Sequence, residues 1–231
     1  MPADKIIDAG AALPPDRPRV QALSDWLVQQ GLRGAAREDV LAGFCEGLCG
    51  LGIPLRRSQI SMRTLHPSFE ALSFQWYSDE GVVRNAIAYT ELPTQEWAQS
   101  PFYHMLQTDN FALRRHLAGP DARVDFPLLE TLQADGLTDY VARILPFGDD
   151  GIIDGRTGLL ISWSTARADG FSVAEIAIMD RLLARLALTV KAILSLAITR
   201  NVADTYIGRN AGQRILRGEI RRGVVDVIHA V

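Results

Sequence analysis

Cysteine is scarce in this sequence: Cys45 and Cys49 are the only two among 231 residues, and they lie one helical turn apart. A structural zinc site normally takes four ligands, so this pair does not complete one. The two thiols could form a redox pair or half of a metal site. The simpler interpretation is that both are small core residues on the apolar side of a helix, beside Leu41, Phe44 and Leu48.

Motifs that carry enzymatic chemistry are also missing. The sequence has no Gly-x-Ser-x-Gly, no phosphate-binding loop and no His-Glu-x-x-His. Its four histidines do not fall at the spacing of metal ligands. We therefore expect neither a catalytic site, nor a metal site, nor a cofactor within this chain.

Charge of one sign and long apolar runs are both limited. A net charge of −3 gives no electrostatic reason to bind nucleic acid or an anionic membrane. The N-terminus lacks the charged and then apolar pattern of a signal peptide. Arg181, Arg185 and Lys191 interrupt the longest apolar stretch, so no run reaches the roughly 18 residues of a membrane span. The expected location is the cytoplasm, with no membrane and no nucleic acid as partner.

A long helix is the clearest feature that is present. Ser172 and Glu175 have the spacing of a capping box, and no helix breaker follows before Gly208. The predicted helix, residues 171–207, would be about 50 Å long, which exceeds the width of a small domain. Its apolar residues alternate in steps of three and four, as in a coiled coil: Ile176, Met179, Leu183, Leu186, Val190 and Ile193.

This pattern predicts a dimer. Leu182 and Leu196 widen the apolar face beyond a strict coiled-coil seam. We expect one side of the helix to pack on its own domain and the other side to pair with a second copy, so that the chain is a homodimer.

The pattern of the preceding residues predicts two helices followed by a meander of strands. Helices are predicted over residues 18–30, closed by Gly31, and from Arg37 to Gly50, after a loose segment at 1–17. Strands with short turns predict an antiparallel sheet, and helices collected at the ends favour the α+β class. The predicted strands are 59–65, 71–77, 82–89, 111–117, 139–145 and 157–163, with helical segments at 95–106 and 126–134.

Several segments resemble a GAF or PAS-like sensory domain. Ser162 to Thr165 followed by Gly170 to Ser172 is similar to the last strand and final helix of a GAF domain, and 65–69 and 136–140 resemble the sensory part ahead of bacterial cyclases. The resemblance implies a GAF-like domain at 18–170 with a small-molecule pocket over the sheet, under a lid that includes Trp97, Phe111 and Arg115. The pocket residues it implies are Trp76, Tyr103, His104, Arg114, Asp139, Tyr140 and Trp163, although aromatic residues of this kind more often belong to the core.

The segment from Thr205 to Gly223, followed by a Val- and Ile-rich run to Val231, carries the most specific resemblance. It is similar to the linker before the catalytic domain of bacterial class III adenylate and guanylate cyclases. The resemblance implies that 208–231 leads into a catalytic domain beyond this sequence, and that Mg²⁺ and ATP belong to that domain. Asp226 lies too early to replace its first metal-binding aspartate.

Three functions remain open at this stage. The first is a regulatory, dimerising domain of a class III adenylate cyclase, which passes ligand or conformational state through its long helix to a domain that makes cyclic AMP from ATP. The second is a stand-alone ligand-binding adaptor or transcriptional regulator. The third, an enzyme in its own right, has the least support because no catalytic motif is present.

Overall fold

The computed structural model describes residues 17–66, 69–87, 94–147, 158–206, 208–216 and 218. Several predictions lie outside these residues: most of the N-terminal segment 1–17, the turn at 148–155, and most of the linker at 208–231 with its Val- and Ile-rich run.

Six strands form one antiparallel sheet in the order β3-β2-β1-β6-β5-β4. Each strand alternates its side chains between the two faces of the sheet. The strands are β1 (Arg57–His66), β2 (Phe69–Tyr77), β3 (Gly81–Ile87), β4 (Ala112–His116), β5 (Asp139–Pro146) and β6 (Gly158–Thr165). All five pairings between neighbouring strands are antiparallel.

Helices cover both faces of the sheet, so the predicted α+β fold, an antiparallel sheet flanked by helices with a long C-terminal helix, is confirmed. The helices are α1 (Arg17–Arg33), α2 (Arg37–Gly50), α3 (Gln95–Ala98), α4 (Pro101–Gln107), α5 (Pro127–Ala134), α6 (Val173–Tyr206) and α7 (Arg209–Leu216). The larger core joins α1, α2 and α6 to one face, through residues such as Phe44, Phe74 and Ile161. A smaller core joins α4 and α5 to the other face, beside β4 and β5.

Helix α1 passes through Gly31 instead of ending there, which corrects the predicted boundary. Gly31 is buried against α6, and a Cβ at this position would lie 3.3 Å from the Cα of Thr189. The hydroxyl of Thr189 donates a hydrogen bond of 2.8 Å to the carbonyl of Leu27. The glycine therefore permits a close approach of two helices and does not serve as a helix stop.

The predicted helix at 95–106 is divided into α3 and α4. Thr94 caps the first, and the Ser100 hydroxyl accepts a hydrogen bond of 3.1 Å from the Tyr103 amide at the start of the second. Pro101 has no amide hydrogen to donate, so it suits the first turn of a new helix and interrupts a continuing one.

Helix α6 is 34 residues long and begins with the predicted capping box. The Ser172 amide donates to the Glu175 carboxylate over 2.7 Å, and the Glu175 amide donates to the Ser172 hydroxyl over 3.2 Å. Arg167 adds an ion pair to Glu175. The start of the helix is thus held by a local network that the sequence spacing predicts.

The predicted dimer seam on α6 lies inside the protein's own core, which corrects its assignment to a second copy. Ile176 is partly buried against the larger core, and the other five seam residues are almost fully buried there: Met179, Leu183, Leu186, Val190 and Ile193. The same three-and-four spacing serves a helix that packs on a sheet and a helix that pairs with its copy. Here α1 and the sheet occupy the seam.

Helix α6 also has the length and composition of a membrane span, which corrects the expectation that its charges would exclude one. An 18-residue window has a mean hydropathy of 1.8, and 44% of that window is buried inside the protein. The core helix of a soluble protein meets the same criterion, because its buried side is equally apolar.

Candidate functional site

The seven residues predicted to line one pocket lie on both sides of the sheet. Trp76 and Trp163 belong to the larger core under α1, α2 and α6, whereas Tyr140 belongs to the smaller core on the opposite face. Tyr103 and His104 lie on α4, where Tyr103 contacts Trp97 edge to face and His104 is exposed. The structure therefore does not bring Trp76 and Trp163 together with Tyr140.

Arg114 and Asp139 form a separate cluster at the start of α6. The carboxylate of Asp139 is fully buried and accepts hydrogen bonds of 2.7 Å and 3.3 Å from Arg114 and of 2.8 Å from the Phe171 amide. Arg114 also donates to the Phe171 carbonyl over 2.6 Å. The residue before, Gly170, has φ +67, and a Cβ there would lie 2.6 Å from the Asp139 carboxylate. These contacts fasten β4 and β5 to the residues just before α6.

The face of the sheet opposite α6 carries a group of polar side chains that the sequence analysis did not single out. They alternate with core residues along β1, β2 and β6. We call this group, together with Tyr140 of β5, the polar face: Arg57, Gln59, Ser61, Ser73, Gln75, Tyr77, Tyr140, Ser162 and Ser164.

Strand register aligns the polar face in rows. Tyr140 pairs with Ser164, Ser164 with Arg57, and Arg57 with Tyr77, so these four residues form one row across four strands. The next row contains Ser162, Gln59 and Gln75 in the same way. Residues that are more than a hundred positions apart in sequence, such as Arg57 and Ser164, thus meet on one surface.

Part of the polar face is satisfied by its own hydrogen bonds. Arg57 donates to the Tyr77 hydroxyl over 3.3 Å and to the Gln59 side chain over 2.8 Å. Gln59 donates to the hydroxyls of Ser61 and Ser73, which are themselves 3.0 Å apart. This network fixes the orientation of the Arg57 guanidinium and of the serines on β1 and β2.

Another part of the polar face is buried without partners. Arg57 is 3% exposed, and Tyr140, Ser162 and Ser164 are fully buried. Four of their atoms form no hydrogen bond within the described part of the chain: Arg57 Nη1, Tyr140 Oη, Ser162 Oγ and Ser164 Oγ. Buried polar groups in folded proteins nearly always have partners, because each orphan costs roughly 1–3 kcal/mol. Four such atoms on one face therefore indicate a place for something that supplies the missing partners.

The electrostatics of the polar face favour hydrogen-bond donation. Burial raises the pKa of Tyr140 to about 12, and this rise is opposed by the Ser162 hydroxyl and by the positive charge of Arg57. The Tyr140–Ser162 approach falls short of hydrogen-bond geometry. Tyr140 is protonated at neutral pH, as any ordinary tyrosine is, and its O–H group can donate to an acceptor.

Surface clefts elsewhere do not contain the predicted pocket residues. One cleft of about 290 Å³ lies between the start of α2 and α6 and is lined by Arg37, Arg84 and Arg200 among others. A second of similar volume lies between α6 and α7. Neither includes a residue of the polar face.

The two cysteines have different surroundings. Cys45 is buried, whereas Cys49 is exposed and its thiol lies 3.7 Å from the carbonyl of Leu55. Burial raises the pKa of both thiols, of Cys45 more than of Cys49. A raised pKa lowers the fraction of reactive thiolate. Among the described residues, no group of three or more His, Cys, Asp or Glu side chains is placed to hold a metal ion.

Comparisons with known proteins give structural neighbours only. No family model matches the chain, and no curated protein matches it. Solved structures to which it is similar include the phycoerythrobilin-bound GAF domain of a cyanobacterial phytochrome, with 12% identity, a TM-score of 0.48, and coverage of 79% of this chain and 97% of that one.

Two further neighbours come from other bacterial proteins. The GAF domain of a two-component sensor histidine kinase from Bacillus halodurans has 13% identity and a TM-score of 0.43, over 80% of this chain and 99% of that one. The VqsR LBD domain from Pseudomonas aeruginosa has 19% identity and a TM-score of 0.42, over 77% and 94%. All three TM-scores lie below 0.5, so these neighbours carry no argument about the fold. The α+β class rests on the observed sheet and helices.

Proposed function

We propose that this chain is a sensory regulatory module: a small molecule binds on the polar face, and α6 carries the resulting change to an output domain. The observation that carries the proposal is the set of four buried polar atoms that have no partner in the described part of the chain, on Arg57, Tyr140, Ser162 and Ser164. A site of this kind binds and orients a ligand. It lacks the paired nucleophile and base that a catalytic site requires.

A route from the polar face to α6 supports the regulatory part of the proposal. Tyr140 lies in the row that contains Arg57, and its neighbour Asp139 is hydrogen-bonded to the Phe171 amide just before α6. A shift of β5 on ligand binding would therefore alter the attachment of α6. Such a packed joint has discrete arrangements and can act as a two-state element.

A second copy is the proposed partner of α6, through a different stripe from the buried seam. The exposed side of the helix carries uncharged residues in steps of three and four, which we call the exposed stripe: Ala184, Leu188, Ala192, Ser195, Thr199, Val202 and Tyr206. Small and apolar residues at this spacing let two helices approach closely. Leu188 is 58% exposed and Val202 is 45% exposed, so pairing would bury apolar surface that the single chain leaves in water.

The proposed output domain is a class III adenylate cyclase that makes cyclic AMP from ATP with Mg²⁺. The support is the resemblance of Thr205 to Gly223 to the linker of that family, which here begins with the last two residues of α6. In that family the active site forms between two catalytic domains, so the geometry of paired α6 helices would set activity. ATP and Mg²⁺ would be held by the catalytic domain, and a cytoplasmic location belongs to the same proposal.

Cyclic AMP formation from ATP and Mg²⁺ tests this proposal. We would compare the product of the complete reading frame with a version that lacks residues 17–170. The proposal predicts cyclic AMP from both and a clear change in rate on truncation. Equal rates would indicate that the domain is only a spacer. If neither protein made a cyclic nucleotide, the cyclase output would be refuted and the adaptor function favoured.

A further inference from the structure

Arg57 differs from the other arginines that the sheet positions. Four of these are paired with aspartates: Arg56 with Asp79, Arg114 with Asp139, Arg115 with Asp125 and Arg143 with Asp180. Arg57 is more deeply buried than any of them, yet its contacts within the described residues are a tyrosine hydroxyl and a glutamine oxygen, both neutral. Among the residues that the structure describes, its positive charge therefore has no acidic partner.

An uncompensated buried charge is unfavourable in a folded protein unless an opposite charge joins it. Taking a single ion out of water costs several kcal/mol even after the surroundings relax, and a paired, hydrogen-bonded counter-charge offsets this. The surrounding groups of the polar face are neutral: two tyrosines, two glutamines and four serines. The described part of the chain thus supplies hydrogen-bond donors around Arg57 but no anion.

We infer that the ligand of the polar face carries a single carboxylate, which binds Arg57 Nη1 and lies within the row formed with Ser164 and Tyr140. This inference rests on the proposed function and names the class of its ligand. One guanidinium balances one negative charge, whereas a phosphate dianion would leave a second charge among neutral hydroxyls. A carboxylate also accepts several hydrogen bonds at once, as the unpartnered O–H groups of Tyr140, Ser162 and Ser164 require.

The existing contacts of Arg57 prepare it for this role. Nε and Nη2 are held by Tyr77 and Gln59, and the guanidinium lies 5.8 Å from the centre of the Tyr77 ring. These contacts fix the guanidinium plane and leave Nη1 without a hydrogen-bond partner among the described residues. A donor that is oriented before binding loses little conformational entropy when the ligand arrives.

Formate is the probe for the test, because it presents a carboxylate with no remainder that could clash. Thermal unfolding of the whole chain would be followed in sodium formate and in sodium chloride of equal ionic strength and pH. If about 0.1 M formate exceeds its dissociation constant roughly tenfold, the melting temperature of the wild type should rise by about 3 °C relative to chloride. Formamide, the neutral analogue, should give no rise.

Two variants separate the carboxylate site from a general salt effect. Arg57→Met should lose the formate response, and without formate it should melt at the wild-type temperature or higher, because an unpaired buried charge has been removed. Arg56→Met, at the neighbouring exposed arginine, should keep the full response. If Arg57→Met does not fold, Arg57→Gln provides the same comparison with a neutral polar side chain.

Three results would overturn the inference. They are a wild type that responds equally to formate and chloride, an Arg57 variant that keeps the formate response, and a larger rise with hydrogen phosphate than with formate. Each result would leave the proposed function standing if truncation still changes cyclic AMP formation. The opposite outcome is also possible: formate raises the melting temperature through Arg57, but truncation does not change cyclic AMP formation. That outcome would support the carboxylate site and refute the regulatory function.

Discussion

Asp139 and Tyr140 are consecutive residues of β5 whose side chains lie on opposite sides of the sheet. The Tyr140 hydroxyl is buried in the row that contains Arg57, and the Asp139 carboxylate holds Arg114 and the Phe171 amide at the start of α6. These two adjacent residues thus connect the candidate ligand site to the long helix. Changes on either side of this joint should have measurable and different effects.

Asp139→Asn should destabilise the fold strongly. The substitution removes the charge that pairs with Arg114 inside the protein and leaves a partly buried guanidinium without compensation. We expect a loss of about 3 kcal/mol in the free energy of unfolding. Asp79→Asn, which breaks the exposed pair with Arg56, should lose less than about 1 kcal/mol. Urea unfolding measures both, and similar losses would contradict the structural role of Asp139.

Gly170→Ala should weaken the same joint through sterics. Gly170 has φ +67, and an added Cβ would lie 2.6 Å from the Asp139 carboxylate, so backbone strain and a clash act together. We expect a loss of about 3 kcal/mol in unfolding free energy. Gly208 has φ +87 with open space around its Cβ position, so Gly208→Ala should lose only about 1 kcal/mol. Urea unfolding of both variants checks the difference, and equal losses would show that the Asp139 contact is unimportant.

The stability of the protein should fall at alkaline pH because of Tyr140. Its folded-state pKa of about 12 lies above the usual value of 10.0, so the folded state holds this proton more tightly than the unfolded state. The stabilisation is complete below pH 10 and is lost between pH 10 and 12, with a loss of about 1.4 kcal/mol by pH 11.

Tyr140→Phe should remove this alkaline loss. At pH 7 it should leave stability unchanged or slightly higher, because the Tyr140 hydroxyl has no hydrogen-bond partner among the described residues. Tyr206→Phe, at a side chain that is 83% exposed, serves as the control and should keep the wild-type pH profile. Urea unfolding at several pH values from 8 to 11 measures the profiles. An unchanged profile in Tyr140→Phe would contradict the burial of this hydroxyl.

Leu188 and Leu186 should separate dimerisation from folding. Leu188→Glu places a charge on the exposed stripe, so we expect a folded monomer where the wild type has the mass of two chains by light scattering. Leu186→Asp buries an unpaired charge in the core, so it should unfold the protein instead of dissociating it. A wild-type monomer, or a Leu188→Glu dimer, would refute pairing through the exposed stripe.

Sequence patterns predict the elements of this fold well and their surroundings less well. The strand patterns of β1, β2 and β6 and the capping box of Ser172 and Glu175 depend on residues close in sequence, and the structure contains these elements as expected. The seam on α6 was assigned to the wrong partner because spacing shows that a helix face is buried but not what buries it. Gly31 was read as a helix end because the approach of α6 depends on Thr189, far along the chain.

Apart from Tyr140, which is among the predicted pocket residues, the polar face escapes sequence analysis for a related physical reason. Ser73, Gln75 and Tyr77 alternate with core residues in the way that a solvent-exposed face does, and Arg57 lies ahead of the predicted strand. Their significance comes from register with β6 and β5, which brings Ser164 and Tyr140 beside Arg57. The available signal was an arginine and two glutamines at alternate positions of β1 and β2, but their burial depends on the tertiary structure.

The most direct test of the account is amide hydrogen exchange at Phe171 and Ser172, measured by NMR with and without formate. The Phe171 amide donates to Asp139 and reports on the joint with β5, whereas the Ser172 amide donates to Glu175 within the cap of α6. The account predicts that formate slows exchange at Phe171 in the wild type, leaves Ser172 unchanged, and has no effect in Arg57→Met. Formate that raises the melting temperature without changing exchange at Phe171 would contradict transmission from the polar face to α6.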